Sequence, residues 1–227
     1  MVIPARFSLI LLIFERKKPT QLLTRIMSWI PTDVLIRELN LQKHPEGDPL
    51  GAPGYFIETD RQALQIPSPY SDNQSRPLAT SIYYLLTKDS PSGIIHMNKS
   101  VTYHVLHQGR AQYTLIYPPS ESNPGPPRIE RHIMGSNTSA GETRLLLVGT
   151  GVWKMSQLLP DLGSESTEPD YGCLITEVVV PGFGWGDHAF LTRDGLIELF
   201  RDVEDRKEGD ELVRQFEKHV KAGEQKS

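Results

Sequence analysis

From residue 55 to residue 180 the apolar positions fall in short runs rich in β-branched, aromatic and Leu side chains, broken by turn-forming residues. Runs of that length and composition predict strands. They are Tyr55 to Thr59, Thr80 to Thr87, Ile94 to Met97, Thr102 to His107, Ala111 to Tyr117, Arg128 to Met134, Thr143 to Val148, Trp153 to Leu158 and Leu174 to Val180. The stretches Pro118 to Pro127, Gly135 to Glu142 and Pro160 to Gly172 are polar or rich in Pro and Gly, as surface turns of a β-sandwich or barrel are. No strand alternates with an amphipathic helix of about ten residues, so neither a doubly wound nor a TIM architecture fits. No internal repeat of fixed period is present. Helical spacing is confined to the ends. Thr32 reads as an N-cap before an acidic first turn, with Leu35, Ile36 and Leu39 on one face. Leu212, Val213, Phe216 and Val220 form one stripe of a C-terminal surface helix, followed by a frayed tail from Ala222. Lys43 to Gly54, with three Pro and three Gly, reads as a loop.

Composition narrows the partners. The 227 residues suffice for one domain with a true core. They are 38% hydrophobic and 23% charged, with mean hydropathy -0.35, which describes a soluble globular body. A net charge of -4 lacks the basic footprint of a nucleic-acid binder, so no nucleic-acid partner is expected. The single Cys173 permits no internal disulfide and no CxxC metal clip, and a cytoplasmic location is expected. The apolar run from Phe7 to Phe14 is too short to span a bilayer, so no membrane association is expected. Residues 1–30 hold five basic residues and the single acidic Glu15. They read as an extension preceding the globular pattern, with a start at Met27 as one explanation and a mitochondrial presequence as the alternative.

Candidate chemistry concentrates in one window. His96, His104 and His107 lie within twelve residues. Residues two apart on a strand share a face, so His96 pairs with Asn98, and Thr102 with His104, while His107 points away from His104. His96 and His104 can therefore converge inside a barrel. Each is also compatible with a hydrogen-bonded strand histidine of purely structural role.

The same window resembles the first motif of the cupin superfamily, G(X)5HXH(X)3-4E(X)6G. His96 takes the first His position, Asn98 the second, Thr102 the Glu and Gly109 the closing Gly. The second motif, PXG(X)2H, has its nearest match in Gly149-Thr-Gly151-Val-Trp-Lys154, with Gly151 as its Gly and Lys154 at the His position. Three of the four metal-ligand positions are thus replaced. A narrower resemblance covers roughly residues 30–200. Ile36-Arg-Glu-Leu-Asn-Leu-Gln-Lys-His44-Pro-Glu-Gly47, Gly54-Tyr-Phe-Ile-Glu58-Thr, Ser81-Ile-Tyr-Tyr-Leu-Leu, the His96 segment, Gly151-Val-Trp153 and Val180-Pro-Gly-Phe183 are similar to the DUF985 (Cupin_5) family of RmlC-like cupins. Two departures stand out: Asp48 to Pro53 is inserted, and Val101, Thr102 and His104 replace the family's Asp-Glu pair and Trp.

The resemblance implies an all-β fold, a cupin double-stranded β-helix or jelly-roll barrel, with short flanking helices at both ends. The implied organisation is an extension over 1–30, a barrel over 31–205, and a helix with a charged tail over 206–227. It also implies a homodimer. Function is read at three levels. The first is a binding module for a small polar or sugar-like metabolite, with His96, Asn98, Thr102 and His104 as polar contacts, Trp153 and Phe183 as apolar faces, Lys154 for an anionic group, and Glu58 facing either pocket or solvent. The second is a metal-free epimerase or isomerase on a nucleotide-sugar-like substrate, with His96 or His104 as base and Tyr84 or Tyr113 as acid. The third is a weak divalent-metal site using His96 and His104; otherwise no cofactor is expected. The segment Phe183-Gly-Trp185-Gly-Asp187-His188 reads as a surface turn, with closure of Asp187 or His188 over the barrel as the alternative.

Overall fold

The computed structural model describes residues 29–43, 54–121, 124–160 and 170–221. The extension before residue 29, the inserted Asp48 to Pro53 and the tail from Ala222 lie outside the described residues. Thirteen strands and three α-helices occur among those described: α1 (Thr32–Glu38), β1 (Gln42–Lys43), β2 (Tyr55–Arg61), β3 (Gln65–Pro67), β4 (Ser75–Pro77), β5 (Thr80–Leu86), β6 (His96–Asn98), β7 (Val101–Gln108), β8 (Ala111–Tyr117), β9 (Arg128–Met134), β10 (Leu145–Val148), β11 (Trp153–Leu158), β12 (Cys173–Val180), β13 (His188–Phe190), α2 (Arg193–Leu199) and α3 (Arg206–Phe216). All nine expected strands are present. Two begin two residues late: the run from Ile94 starts its strand at His96, and that from Thr143 at Leu145.

The strands form two antiparallel sheets, β1-β2-β5-β12-β7-β10 and β13-β6-β11-β8-β9, with β3-β4 as a separate ribbon. This is the jelly-roll arrangement, in which two facing sheets share their inward residues. β7 shows the period of two directly, since Thr102, His104 and Leu106 are buried while Tyr103, Val105 and His107 are exposed. One end between the sheets is filled by Leu86, Leu106, Leu115, Met134, Leu146, Val148 and Ile175. The other end is open and forms the cavity described below.

The turn between β7 and β8 rests on Gly109, whose φ is +80°. A Cβ there would lie 1.9 Å from the Gly172 carbonyl oxygen, so the backbone approach admits only Gly.

The ends of the chain depart from expectation in part. Thr32 is the first helical residue rather than the cap: Pro31 is the N-cap, and the Thr32 hydroxyl bonds to Asp170 instead. α3 is the expected surface helix, with its charged faces exposed and its apolar stripe turned inward. Phe216 and Val220 pack with Ile95, Ile116, Met155, Leu191, Leu196 and Phe200 on the outer face of the second sheet. α2, not anticipated in the sequence, joins them, capped by Thr192 accepting from the Gly195 N–H. The second sheet is therefore covered on both faces, by the first sheet within and by helices outside. No helix among the described residues is long and apolar enough to cross a membrane.

Candidate functional site

Between the open ends of the two sheets lies a cavity of about 440 Å³. Its walls follow from strand alternation. The first sheet contributes Phe56 and Glu58 from β2, Tyr84 from β5, His104 from β7 and Glu177 from β12. The second contributes His96 and Asn98 from β6, Tyr113 from β8, Lys154 and Ser156 from β11, and His188 and Phe190 from β13.

The floor is a buried cluster built by register. β7 and β12 place His104 directly opposite Glu177, and β6 and β11 place His96 directly opposite Lys154. Across the sheets, the Lys154 ammonium meets three acceptors: Glu177 Oε1 at 2.6 Å, His104 Nε2 at 3.0 Å and Thr102 Oγ1 at 3.1 Å. Three N–H groups thus meet three partners, which matches the full donor capacity of a lysine. Glu177 Oε2 lies 3.2 Å from His104 Nε2. Lys154 is 2% exposed and Glu177 12%, so the pair is largely shielded from water.

This cluster sets the protonation states. Burial raises the Glu177 carboxyl, but Lys154 and His104 outweigh it and hold the group well below the ordinary carboxylate range. Burial lowers the Lys154 ammonium, and Glu177 opposes that shift. We read the pair as ionised at neutral pH, because each charge stabilises the other. Burial, reinforced by Lys154, lowers His104 and keeps it neutral. His96 is pushed down to about 3 by burial, with Lys154 and His188 adding to the shift. Its Nδ1 lies 2.9 Å from the Ile94 carbonyl oxygen. A carbonyl only accepts, so Nδ1 carries the proton and Nε2 keeps the lone pair. Tyr84 and Tyr113 are both raised by burial and stay protonated.

Around the mouth the walls become aromatic. Phe183 and Trp185 meet edge to face at 5.1 Å, and His188 packs against both and against Phe190. The segment from Phe183 to His188, expected as a surface turn, instead closes over the barrel. Asp187 anchors it from a buried position, accepting bonds from Arg76 and Ser71. Trp185 nonetheless remains 62% exposed.

Most of the residues singled out in the sequence meet here. His96, Asn98, His104, Tyr84, Tyr113, Glu58, Lys154 and Phe183 all line the cavity, and Thr102 touches it through Lys154. Two expectations are corrected. Trp153 gives no wall, because Lys154 takes the inward position on β11 and Trp153 packs with the helix-covered cluster outside. Lys154 is not an open site for an anion, because Glu177 already neutralises it. Glu177 itself went unnoticed in the sequence. Its signal was a lone carboxylate in the otherwise apolar run Cys173-Leu-Ile-Thr-Glu-Val-Val-Val, on the same strand face as Ile175 and Val179.

The cupin superfamily often holds a metal at the motif positions occupied here by His96, Asn98, Thr102 and Lys154. That set does not fit one. Lys154 brings a positive charge of its own, and its ammonium engages His104, Glu177 and Thr102. Among the described residues no group of three or more His, Cys, Asp or Glu is arranged to hold an ion.

Residues 33–191 match the family described as Cupin superfamily (DUF985), Cupin_5. The chain is 39% identical over 165 residues to Uncharacterized protein YML079W of Saccharomyces cerevisiae, covering 69% of this chain and 73% of that one. A solved structure of a hypothetical protein from Leishmania major superimposes with a TM-score of 0.64 at 24% identity, over 82% of this chain and 98% of that one. A Shewanella oneidensis protein gives 0.58 at 20% identity, over 82% and 97%. The cupin barrel, its open cavity and the family match over most of the folded region agree: the chain belongs to the Cupin_5 (DUF985) family of the cupin superfamily.

Proposed function

We propose that the barrel binds a small polar or sugar-like metabolite and that binding, rather than turnover, is its primary activity. One observation carries this reading: a cavity of about 440 Å³ joins an aromatic mouth to a polar interior in which His96 Nε2 keeps an open lone pair. The apolar mouth and polar interior are the usual partition of a small-molecule pocket. Native mass spectrometry of untagged protein, followed by thermal-shift screening of a metabolite library, tests the reading. A copurifying or stabilising small molecule without turnover supports it; an empty spectrum and a flat screen refute it.

A metal-free epimerase or isomerase is the second reading, favoured by the placement of Tyr84 and His96 on facing sheets of one cavity. General acid–base catalysis is most effective when the catalytic groups titrate near the working pH. Burial moves these two in the opposite senses, His96 down to about 3 and Tyr84 up. That separation is why binding is preferred. Solvent deuterium incorporated into a bound sugar would reverse the preference.

For assembly we propose a homodimer through β10. It is the edge strand of the first sheet, and Leu145 and Leu147 are more than half exposed beside exposed Val105 and Tyr103 of β7. A second copy offering the same edge would pair its open backbone groups and cover this apolar row.

A further inference from the structure

The charges around the cavity are already balanced. Two Lys or Arg side chains line it, and each has its own carboxylate. Lys154 is held by Glu177 at 2.6 Å, and Arg61 is held by both oxygens of Glu58 at 2.9 and 2.6 Å. Arg61 also donates to the Phe183 carbonyl oxygen. Behind the mouth, Arg76 is held at 2.7 Å by Asp187, to which Lys99 also lies close. With His96 and His104 neutral, a phosphate or carboxylate entering this space would meet no Lys or Arg that is not already paired. It would also lose its hydration.

Lys154 has spent its three donors on Glu177 Oε1, His104 Nε2 and Thr102 Oγ1. Nε2 of neutral His104 accepts from Lys154 and so has no proton for Glu177 Oε2, 3.2 Å away. Glu177 Oε2 and His96 Nε2 are therefore open acceptors on the cavity wall. Facing the solvent at the mouth is the Trp185 ring, set edge to face against Phe183 and His188. An exposed indole at the rim of a polar cavity offers a flat apolar face to a ring.

We propose that the cavity selects an uncharged ring ligand, in the manner of a neutral monosaccharide or cyclitol, which donates from its edge to His96 while its face lies on Trp185. This rests on the binding reading above and narrows it. A nucleotide-sugar is set aside, because its diphosphate would find no open Lys or Arg.

The test is a matched titration of the full-length protein, followed by intrinsic tryptophan fluorescence and native mass spectrometry. The probes are glucose against its monophosphate, galactose against galacturonate, and myo-inositol against its monophosphate. At least one neutral probe is expected to bind at least about tenfold more tightly than its charged partner. Trp185→Ala, read by native mass spectrometry, should weaken that neutral probe about tenfold while leaving the unliganded melting temperature in place, since the ring is 62% exposed. Glu58→Gln, which releases Arg61 at an exposed position, should raise affinity for the charged partner selectively. Charged probes binding as tightly as neutral ones would overturn the inference and leave the binding reading standing. Failure of every probe, neutral and charged, would overturn the inference, and a flat library screen would then remove the binding reading as well.

Discussion

Replacing Lys154 by Met tests the buried cluster most directly. The substitution keeps the length of the side chain and removes its charge, leaving Glu177 without the partner now 2.6 Å away. Removing one member of a buried ion pair costs about 3–5 kcal/mol, because the surviving charge is left uncompensated. Glu177 is 12% exposed at the cavity wall, so cavity water relieves part of the cost and the lower end, about 3 kcal/mol, is expected. For a domain of this size each kcal/mol lowers the melting temperature by about 2–4 °C, so a fall of about 6–12 °C should be seen. Glu177→Gln alone should cost a comparable amount by stranding the ammonium. The double variant should cost no more than either single, giving a coupling of about 3 kcal/mol in a double-mutant cycle. Urea unfolding followed by circular dichroism at pH 7 supplies all four values. The pH dependence adds a sign. In Lys154→Met, His104 becomes the one remaining cationic partner at 3.2 Å, so its folded pKa rises. That rescue is complete below the unfolded histidine value and is lost as pH rises through the folded one. The deficit should therefore be larger at pH 8 than at pH 6. Additive single effects, with coupling below about 0.5 kcal/mol, would show that the cluster is solvated and refute this account.

Four further outcomes are expected. His96 and His104 are both lowered by burial, so between their unfolded values and their folded ones the unfolded chain binds more protons. Wild-type stability should then be full above about pH 6.5 and fall on acidification by up to about 1.4 kcal/mol per pH unit for each histidine; chemical unfolding that is unchanged from pH 7 to pH 5 would contradict this. Gly109→Ala must fit a Cβ against the Gly172 carbonyl and should lose at least about 2 kcal/mol or fold poorly, whereas an unchanged melting temperature would show the turn to be open. Leu147→Asp should convert the proposed dimer to a monomer by light scattering; a wild-type monomer, or a variant that still pairs, removes β10 as the interface. Protein purified without a tag should carry substoichiometric metal and keep its melting temperature in EDTA, and stoichiometric iron, manganese or nickel would overturn the ammonium-filled reading of the site.

The sequence by itself determined the strands and which residues share a face. Alternation along Thr102-Tyr-His104-Val-Leu106 groups Thr102, His104 and Leu106, because the pleat repeats every two residues whatever the strand pairs with. That is why His96 and His104 could be expected to converge, while the choice of the inward face, with Tyr103 and Val105 left exposed, came from sheet packing. Terminal helices were half legible for the same kind of reason. The stripe through Leu212, Phe216 and Val220 shows that one face must be buried, while α2 is short and its apolar residues too few to announce it. Tertiary structure decided the rest. Only the register of β12 against β7 brings Glu177 opposite His104, some seventy residues away, and only the facing of the two sheets brings Lys154 between them. That contact turns a lysine that reads as an anion site into a spent charge. It also supplies from β12 the carboxylate missing at Thr102. A local pattern fixes the direction of a side chain through backbone geometry. Its charge state and its partners depend on burial and on neighbours from other strands, and chain order does not encode them locally.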